Sequence, residues 1–207
     1  MPCTFPRRAT APRFDGAVSV EAKPPATRRI LGAARSLVGH GGAAEISMGD
    51  VAASAGVSKA LVHYHFHDKD SLLQALVEDV GFAVLHRVRE AMRSESDHHA
   101  LDAYWAWLAD ELRVGDLRIL ISLAEYDSDR VRAASRRVAE QRRELAAEHV
   151  ELVFSRLGLN PIVPAALVAD TVLAFVDGLA VTHALDPERD PRPAFDVLWL
   201  ALLTLAE

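Results

Sequence analysis

Within Ser47 to Phe66 lie the side chains best suited to meeting a polyanion: two hydroxyls at helix starts, Ser47 and Ser58, then Lys59, His63 and Tyr64 at short intervals. Hydroxyls, ammonium, imidazole and phenol all donate hydrogen bonds, so the chemistry on offer is contact with phosphate oxygens and base edges. Hydrolytic or redox chemistry finds no comparable set. There is no Ser-centred nucleophile elbow, phosphate loop, dinucleotide glycine pattern, or His pair one turn apart enclosing a Glu, so no catalytic residue is assigned.

Position depends on two short helices. Ser47 followed by Asp50 is a capping-box spacing, which predicts a helix from Met48. Val51, Ala52 and Ala55 share its inner face, and Gly56 can adopt the positive φ that a tight turn requires. Ser58 caps the next helix, whose inner stripe is Leu61, Val62 and Phe66. Ser58, Lys59, Ala60, His63 and Tyr64 then face outward, at the end that a helix-turn-helix inserts into the major groove.

Ser47, the run Val51-Ala52-Ala53-Ser54-Ala55-Gly56-Val57-Ser58, then Leu61, Phe66, Lys69 and Leu72-Leu73 resemble the N-terminal signature of the tetracycline-repressor (TetR) family of bacterial regulators. The resemblance spans roughly residues 26 to 75. It implies an all-α fold of about nine helices, with an N-terminal helix-turn-helix over residues 26–70 and a ligand-binding and dimerisation domain over 71–207. It also implies phosphate contacts from Lys69 and from the start of the first helix, where Arg28 stands, and motion of the helix after Lys69 as the link between ligand and DNA. The sequence departs from the family pattern at Ala60, where Gly is usual, and at His63, where a phosphate-contacting Tyr is usual. Tyr64 follows directly, so either His63 or Tyr64 takes that contact. Ser47 and Lys69 are expected on phosphates, Lys59 and Tyr64 on bases.

The 207 residues are half hydrophobic and carry a formal charge of −6, enough for a small head and a larger body. Scarce β-type alternation and abundant alanine favour helices. Charge is unevenly placed: nine Lys and Arg against six Asp and Glu up to Leu73 leave +3, and fourteen against twenty-three beyond it leave −9. A basic head on an acidic body suits nucleic acid at one end only. Cys3 is the single cysteine, which excludes an intrachain disulfide and fits a reducing cytoplasm. The absence of a signal-like run and the charges Asp170 and Asp177 within Pro161 to Leu185 lead to the expectation of a soluble, cytoplasmic protein that enters no membrane.

Residues 1–25, with five prolines and the bases Arg7, Arg8, Arg13 and Lys23, read as a flexible tail. Thr27 is expected to cap a helix from Ala26 to Val38, with Arg28, Arg29 and Arg35 outward. Later helices are expected at about Asp70–Met92, Asp97–Val114, Asp116–Tyr126, Asp129–Leu157, Pro164–Leu185 and Arg192–Ala206. The last is apolar nearly all round and needs cover on more than one face. A second copy of the chain provides it, through Thr171, Ala174, Phe175, Gly178, Leu179, Leu198, Leu202 and Leu205.

For an unidentified small-molecule effector, the candidate pocket residues are Phe82, His86, Tyr104, Trp105, Trp107, Tyr126, Phe154, Phe175, Asp177 and His183. Asp177, alone in an apolar helix, needs a ligand, an Arg or a cap as partner. The Arg residues from Arg130 to Arg143, interleaved with Glu140, Glu144, Glu148 and Glu151, predict a salt-bridged exposed face. His63, His65 and His67 alternate, and His63 and His67, one turn apart, could bring two imidazoles to a metal, but no third ligand is near, so neither metal nor cofactor is expected. The other reading of the chain is a helical binding protein or enzyme whose head has lost DNA binding, suggested by the weak basic balance and by His63.

Overall fold

The computed structural model describes residues 25–93 and 100–206. The N-terminal tail therefore lies outside the described residues apart from Pro25, as do Cys3 and the expected break and helix start over 94–99. Among the described residues there are nine α-helices: α1 Pro25–Gly41, α2 Met48–Ala55, α3 Lys59–His65, α4 Lys69–Arg93, α5 Ala100–Val114, α6 Asp116–Ala124, α7 Asp129–Arg156, α8 Ala165–Leu185 and α9 Arg192–Leu203. The all-α expectation holds, and among the described residues no strand forms beyond an isolated bridge between Pro161 and Ala206.

Local chemistry sets most boundaries. Pro25 opens α1, where its missing N–H is no loss, so Thr27 is not a cap. Its hydroxyl instead lies 3.4 Å from His65 Nδ1, tying α1 to the end of α3. Asp68 caps α4, accepting from the Ser71 N–H at 2.6 Å. Ser128 caps α7 by accepting from the Val131 N–H. Gly115 precedes α6 at φ 81°, a conformation open to glycine at little cost.

The long helix α4 packs on α1 at its start and on α5, α6 and α7 along its length. Leu73, Leu76, Val77 and Val80 are wholly buried there. Midway, the backbone of Gly81 meets α7 so closely that a Cβ would stand 2.7 Å from both methyls of Val138.

A buried charge network joins the layers. Asp116 of α6 has no solvent exposure and accepts from Arg35 of α1 and Arg87 of α4, each at 2.6 Å. Arg87 also makes a two-pronged contact with Glu111 of α5, at 2.8 and 2.9 Å. Burial pushes the Glu111 carboxyl up, against the pull of Arg87. Arg35 is thus not a free outward cation.

The Arg-rich helix α7 also differs from expectation. Its guanidiniums reach mostly to other elements: Arg130 to Asp68, Arg137 to Glu78, Arg143 to Asp170 as well as Glu140, and Arg142 to Asp177 at 2.5 Å. Arg142 is largely buried, so this helix bears the basic partners of acids on α4, on the turn before it and on α8 rather than a self-paired solvent face.

The Gly81 contact leads to a quantitative expectation. Gly81→Ala should destabilise the fold by about 1–3 kcal/mol through overpacking. In a Val138→Ala background the same change should become neutral or stabilising by up to ~1 kcal/mol, the helix preference of Ala over Gly. Urea denaturation of the four proteins of this cycle measures both terms.

Candidate nucleic-acid interface and body cavity

The helix pair α2–α3 forms as its residues dictate. Ser47 Oγ accepts from the Asp50 N–H at 3.2 Å and Asp50 Oδ2 accepts from the Ser47 N–H at 3.0 Å, completing the capping box. The Ser47 hydroxyl proton goes to Asp50 Oδ2 at 2.6 Å, and these bonds hold the Asp50 carboxyl below its ordinary range. Gly56 sits at φ 62°, and the Val57 N–H closes back on the Ala52 carbonyl at 3.0 Å. Ser58 Oγ accepts from the Leu61 N–H at 3.1 Å, starting α3. Val62 and Phe66 are buried beneath.

Ser58, Lys59, Ala60, His63 and Tyr64 are all exposed on one face. Tyr64 is 78% exposed, an unusual position for a large aromatic ring with no partner on the outer side. Of the two residues competing for the family's tyrosine contact, His63 is turned back: its Nδ1 lies 3.1 Å from the His67 carbonyl. Tyr64 projects and packs only edge-on against His65.

Two expected phosphate contacts have other engagements. Lys69 Nζ donates to the Ala44 carbonyl at 2.8 Å and lies 5.1 Å from the Tyr126 ring centre, so it anchors the α1–α2 loop to the start of α4. Ser47 spends its proton on Asp50. Arg28 and Arg29 are both exposed as expected, but Arg29 is also engaged. It donates to the Ala55 and Gly56 carbonyls at 2.6 and 2.9 Å, clamping the turn between α2 and α3. The sequence signal for Arg29 was its place one residue from Arg28 on a helix that must cross the turn, which periodicity alone does not resolve.

In the body, two small contiguous voids lie among α4, α5, α7, α8 and α9, about 30 and 10 Å³ in free volume. Tyr104, Ala146 and His149 border both. Trp107 and Arg142 line the first and Trp199 the second. Of the expected pocket residues, Tyr104 and Trp107 border these voids. Asp177 borders a separate crevice of about 150 Å³ beside α6, and its partner is Arg142.

The remainder lie elsewhere. Phe82 and His86 are exposed on α4, with ring centres 6.0 Å apart. Phe82 edges an open cleft of about 490 Å³ between α4 and α7. Trp105 packs outward against Phe195 and Arg192, and Tyr126 stands at the head–body junction against Lys69 and Asp70. Phe154 is core, Phe175 is packed half-buried against it, and His183 borders neither void. Helical spacing places these side chains on a face but does not tell which neighbour covers it.

His149 was missed. Burial, reinforced by Arg89, pushes its pKa down to about 4. Nothing in the sequence around Ala146 to Val150 distinguishes it from an exposed His on a charged helix.

The outward, capped second helix and its glycine turn define a helix-turn-helix DNA-binding protein. Residues 30–76 match the family described as bacterial regulatory proteins, tetR family. The HTH-type transcriptional regulator BetI of Brucella canis is 27% identical over 175 residues, covering 80% of this chain and 83% of that one. The fold is shared with a transcriptional regulator from Rhodococcus sp. Rha1, at TM-score 0.73 and 24% identity, over 87% of this chain and 97% of that one. It is shared too with FadR from Bacillus subtilis in complex with stearoyl-CoA, at TM-score 0.68 and 14% identity, over 85% and 97%. Over residues 30–76 the chain thus resembles the TetR family, and over most of its length it is similar to an HTH-type transcriptional regulator.

The buried imidazole makes stability pH-dependent. A base whose folded pKa is depressed from 6.5 to about 4 stabilises the fold fully above pH 6.5 and loses that contribution as pH falls toward 4. Between pH 7 and 4.5 the wild type should lose on the order of 2 kcal/mol more than His149→Gln, after a discount for partial exposure. Paired urea titrations at the two pH values test this.

Proposed function

We propose that the protein is a homodimeric repressor, acting in the cytoplasm, that binds a palindromic operator through paired α3 helices and leaves it when a small molecule occupies the body. The observation that carries this reading is the outer face of α3, where Lys59 and Tyr64 stand free at the end of a helix whose inner face, cap and preceding turn are all satisfied. Lys59 and Tyr64 are the readers of base edges, with Ser58, Ala60 and His63 beside them. Arg28 meets the backbone, and Ser47 and Lys69 position the helix pair on it, Lys69 through donors left after Ala44.

Dimerisation is supported by a stripe on α8. Leu167, Thr171, Ala174, Gly178, Val181 and Leu185 recur at alternating steps of four and three and are all exposed. That spacing is the seam of two helices packed at a shallow angle, and Ala174 and Gly178 allow close approach. Val197 and Leu200 of α9, at 66% and 67%, and Leu205 just beyond it are exposed as well. Phe175, Leu179 and Leu198 are half-buried at the flank of this surface. Leu202, expected at the interface, is instead buried with Phe195 and Trp199 on the inner side of α9. By length and composition alone α8 could cross a membrane. Its two acids, however, are paired with Arg143 and Arg142 of α7, and its exposed stripe narrows to small residues, as a helix–helix contact does.

A ligand-responsive body is supported by the voids around Tyr104 and by the shared fold of Bacillus subtilis FadR, which is in complex with stearoyl-CoA.

Selection of duplexes from a randomised pool should enrich an inverted repeat with half-sites a helical turn or more apart. Lys59→Ala should relax preference at one base position by about 1–3 kcal/mol, whereas Lys69→Ala should weaken all sequences alike and flatten the salt dependence. Enrichment of no repeat from protein refolded to strip ligand would refute the reading.

Replacing Leu200 by Lys should lower the sedimentation coefficient to that of a monomer and weaken operator binding, without unfolding the chain. A variant that stays dimeric would move the interface elsewhere.

A further inference from the structure

The body cavity carries information about the chemistry of its occupant. Its walls are apolar and aromatic, from α4, α5, α7, α8 and α9, and its polar groups are the donors of Trp107, Trp199 and Arg142 beside Tyr104 and His149, each of which can donate or accept. The indole N–H groups of Trp107 and Trp199 are buried and have no acceptor, although the two residues are only 8% and 4% exposed. Each ring borders one of the two voids. A buried indole N–H ordinarily finds a partner, and two orphans around one space are a matched deficit of acceptors.

The same space has no net charge to offer. Arg142 borders it but is held by Asp177 at 2.5 Å. His149 is in its neutral form, since burial and Arg89 oppose protonation. A carboxylate would thus be desolvated against no free cation, and an ammonium against no free carboxylate, since Asp177 and Arg142 are spent on each other. The Tyr104 ring, stacked on Phe195, tilted against Trp107 and edge-on to Trp199, supplies an aromatic wall to both voids.

The geometry points to an uncharged, mainly apolar ligand carrying an oxygen acceptor of the ketone, ester or amide type, bound across both voids with its oxygen on Trp107 or Trp199. This inference rests on the ligand-responsive reading above and names the class of molecule for it. With about 30 and 10 Å³ free, room for little more than a water, such a ligand enters by displacing the Leu145, Ala146 and Leu173 walls.

The test uses the full chain and three matched probes: acetophenone, ethylbenzene and phenyltrimethylammonium. The chain has three tryptophans, so a ¹⁵N–¹H spectrum shows three indole N–H signals, assigned with W105F, W107F and W199F. Acetophenone should saturably shift the Trp107 or Trp199 signal downfield and bind about tenfold more tightly than ethylbenzene, the worth of one buried hydrogen bond. Phenyltrimethylammonium should not saturate. Phe keeps a ring but removes the donor, so W107F or W199F should abolish the preference for ketone over hydrocarbon while W105F retains it. Equal binding of ketone and hydrocarbon, binding of the ammonium probe as tight as that of the ketone, or no shift of either indole signal overturns the proposal. Operator binding measured on the same samples separates the two readings. DNA bound with no probe response defeats the ligand class alone, and the expected probe response with no operator found defeats only the regulator mechanism.

Discussion

The fold depends above all on one carboxylate, Asp116. It is fully buried at the start of α6, and a buried charge is tolerable only when paired and hydrogen-bonded. Arg35 and Arg87 supply the pairing from two directions, one from the first helix of the head and one from the long connecting helix. Glu111 balances the second guanidinium, so four charges cancel within one cluster spanning α1, α4, α5 and α6. Such a network is demanding in geometry: removing one member leaves a charge stranded, and shifting one helix breaks bonds on several others. The relative placement of DNA-reading helices and body is therefore fixed by directional contacts as well as by apolar packing.

Around that joint the head is organised so that few of its polar groups remain free. Ser47 is closed on Asp50, Arg29 on the turn carbonyls, and Lys69 on Ala44 and the face of Tyr126. Each of these holds a loop or turn in place. What remains outward is a short strip of α3, whose two ends are pinned, by Ser58 at the start and by the Phe66 anchor at the finish. A seven-residue helix is marginal alone, and here its rigidity comes from what lies underneath.

Much of this was legible in the sequence because it is local. The capping box, the glycine turn, the inward Val51, Ala52, Val62 and Phe66, and the helix order all follow from residues within a few positions of one another. The unread part is long-range. Arg35 with Asp116 spans 81 positions, Arg142 with Asp177 spans 35, and no periodicity pairs them. Trp105 and Trp107 differ by two positions and so face different sides, yet only the location of α9 tells which of them borders the cavity. Leu202 and Leu200 repeat the point: an all-apolar helix declares that both faces are covered, without saying by what. His149 looks like any His on a charged helix until α5 and α8 are packed over it.

The close contact between Gly81 and Val138 has a mechanical meaning. Where two helices touch backbone to side chain with no slack, neither can advance toward the other, and relative motion is reduced to rocking about the contact. From Gly81 to Lys69 is twelve residues, about 18 Å of helix at 1.5 Å per residue. A rock of about 10° at that fulcrum carries the Lys69 end sideways by about 3 Å, roughly the length of one hydrogen bond, and enough to lift its ammonium from the Ala44 carbonyl. The missing side chain at position 81 thus gives α4 the proportions of a lever, its short clearance at one end converted to a displacement that the loop before the reading helices would feel.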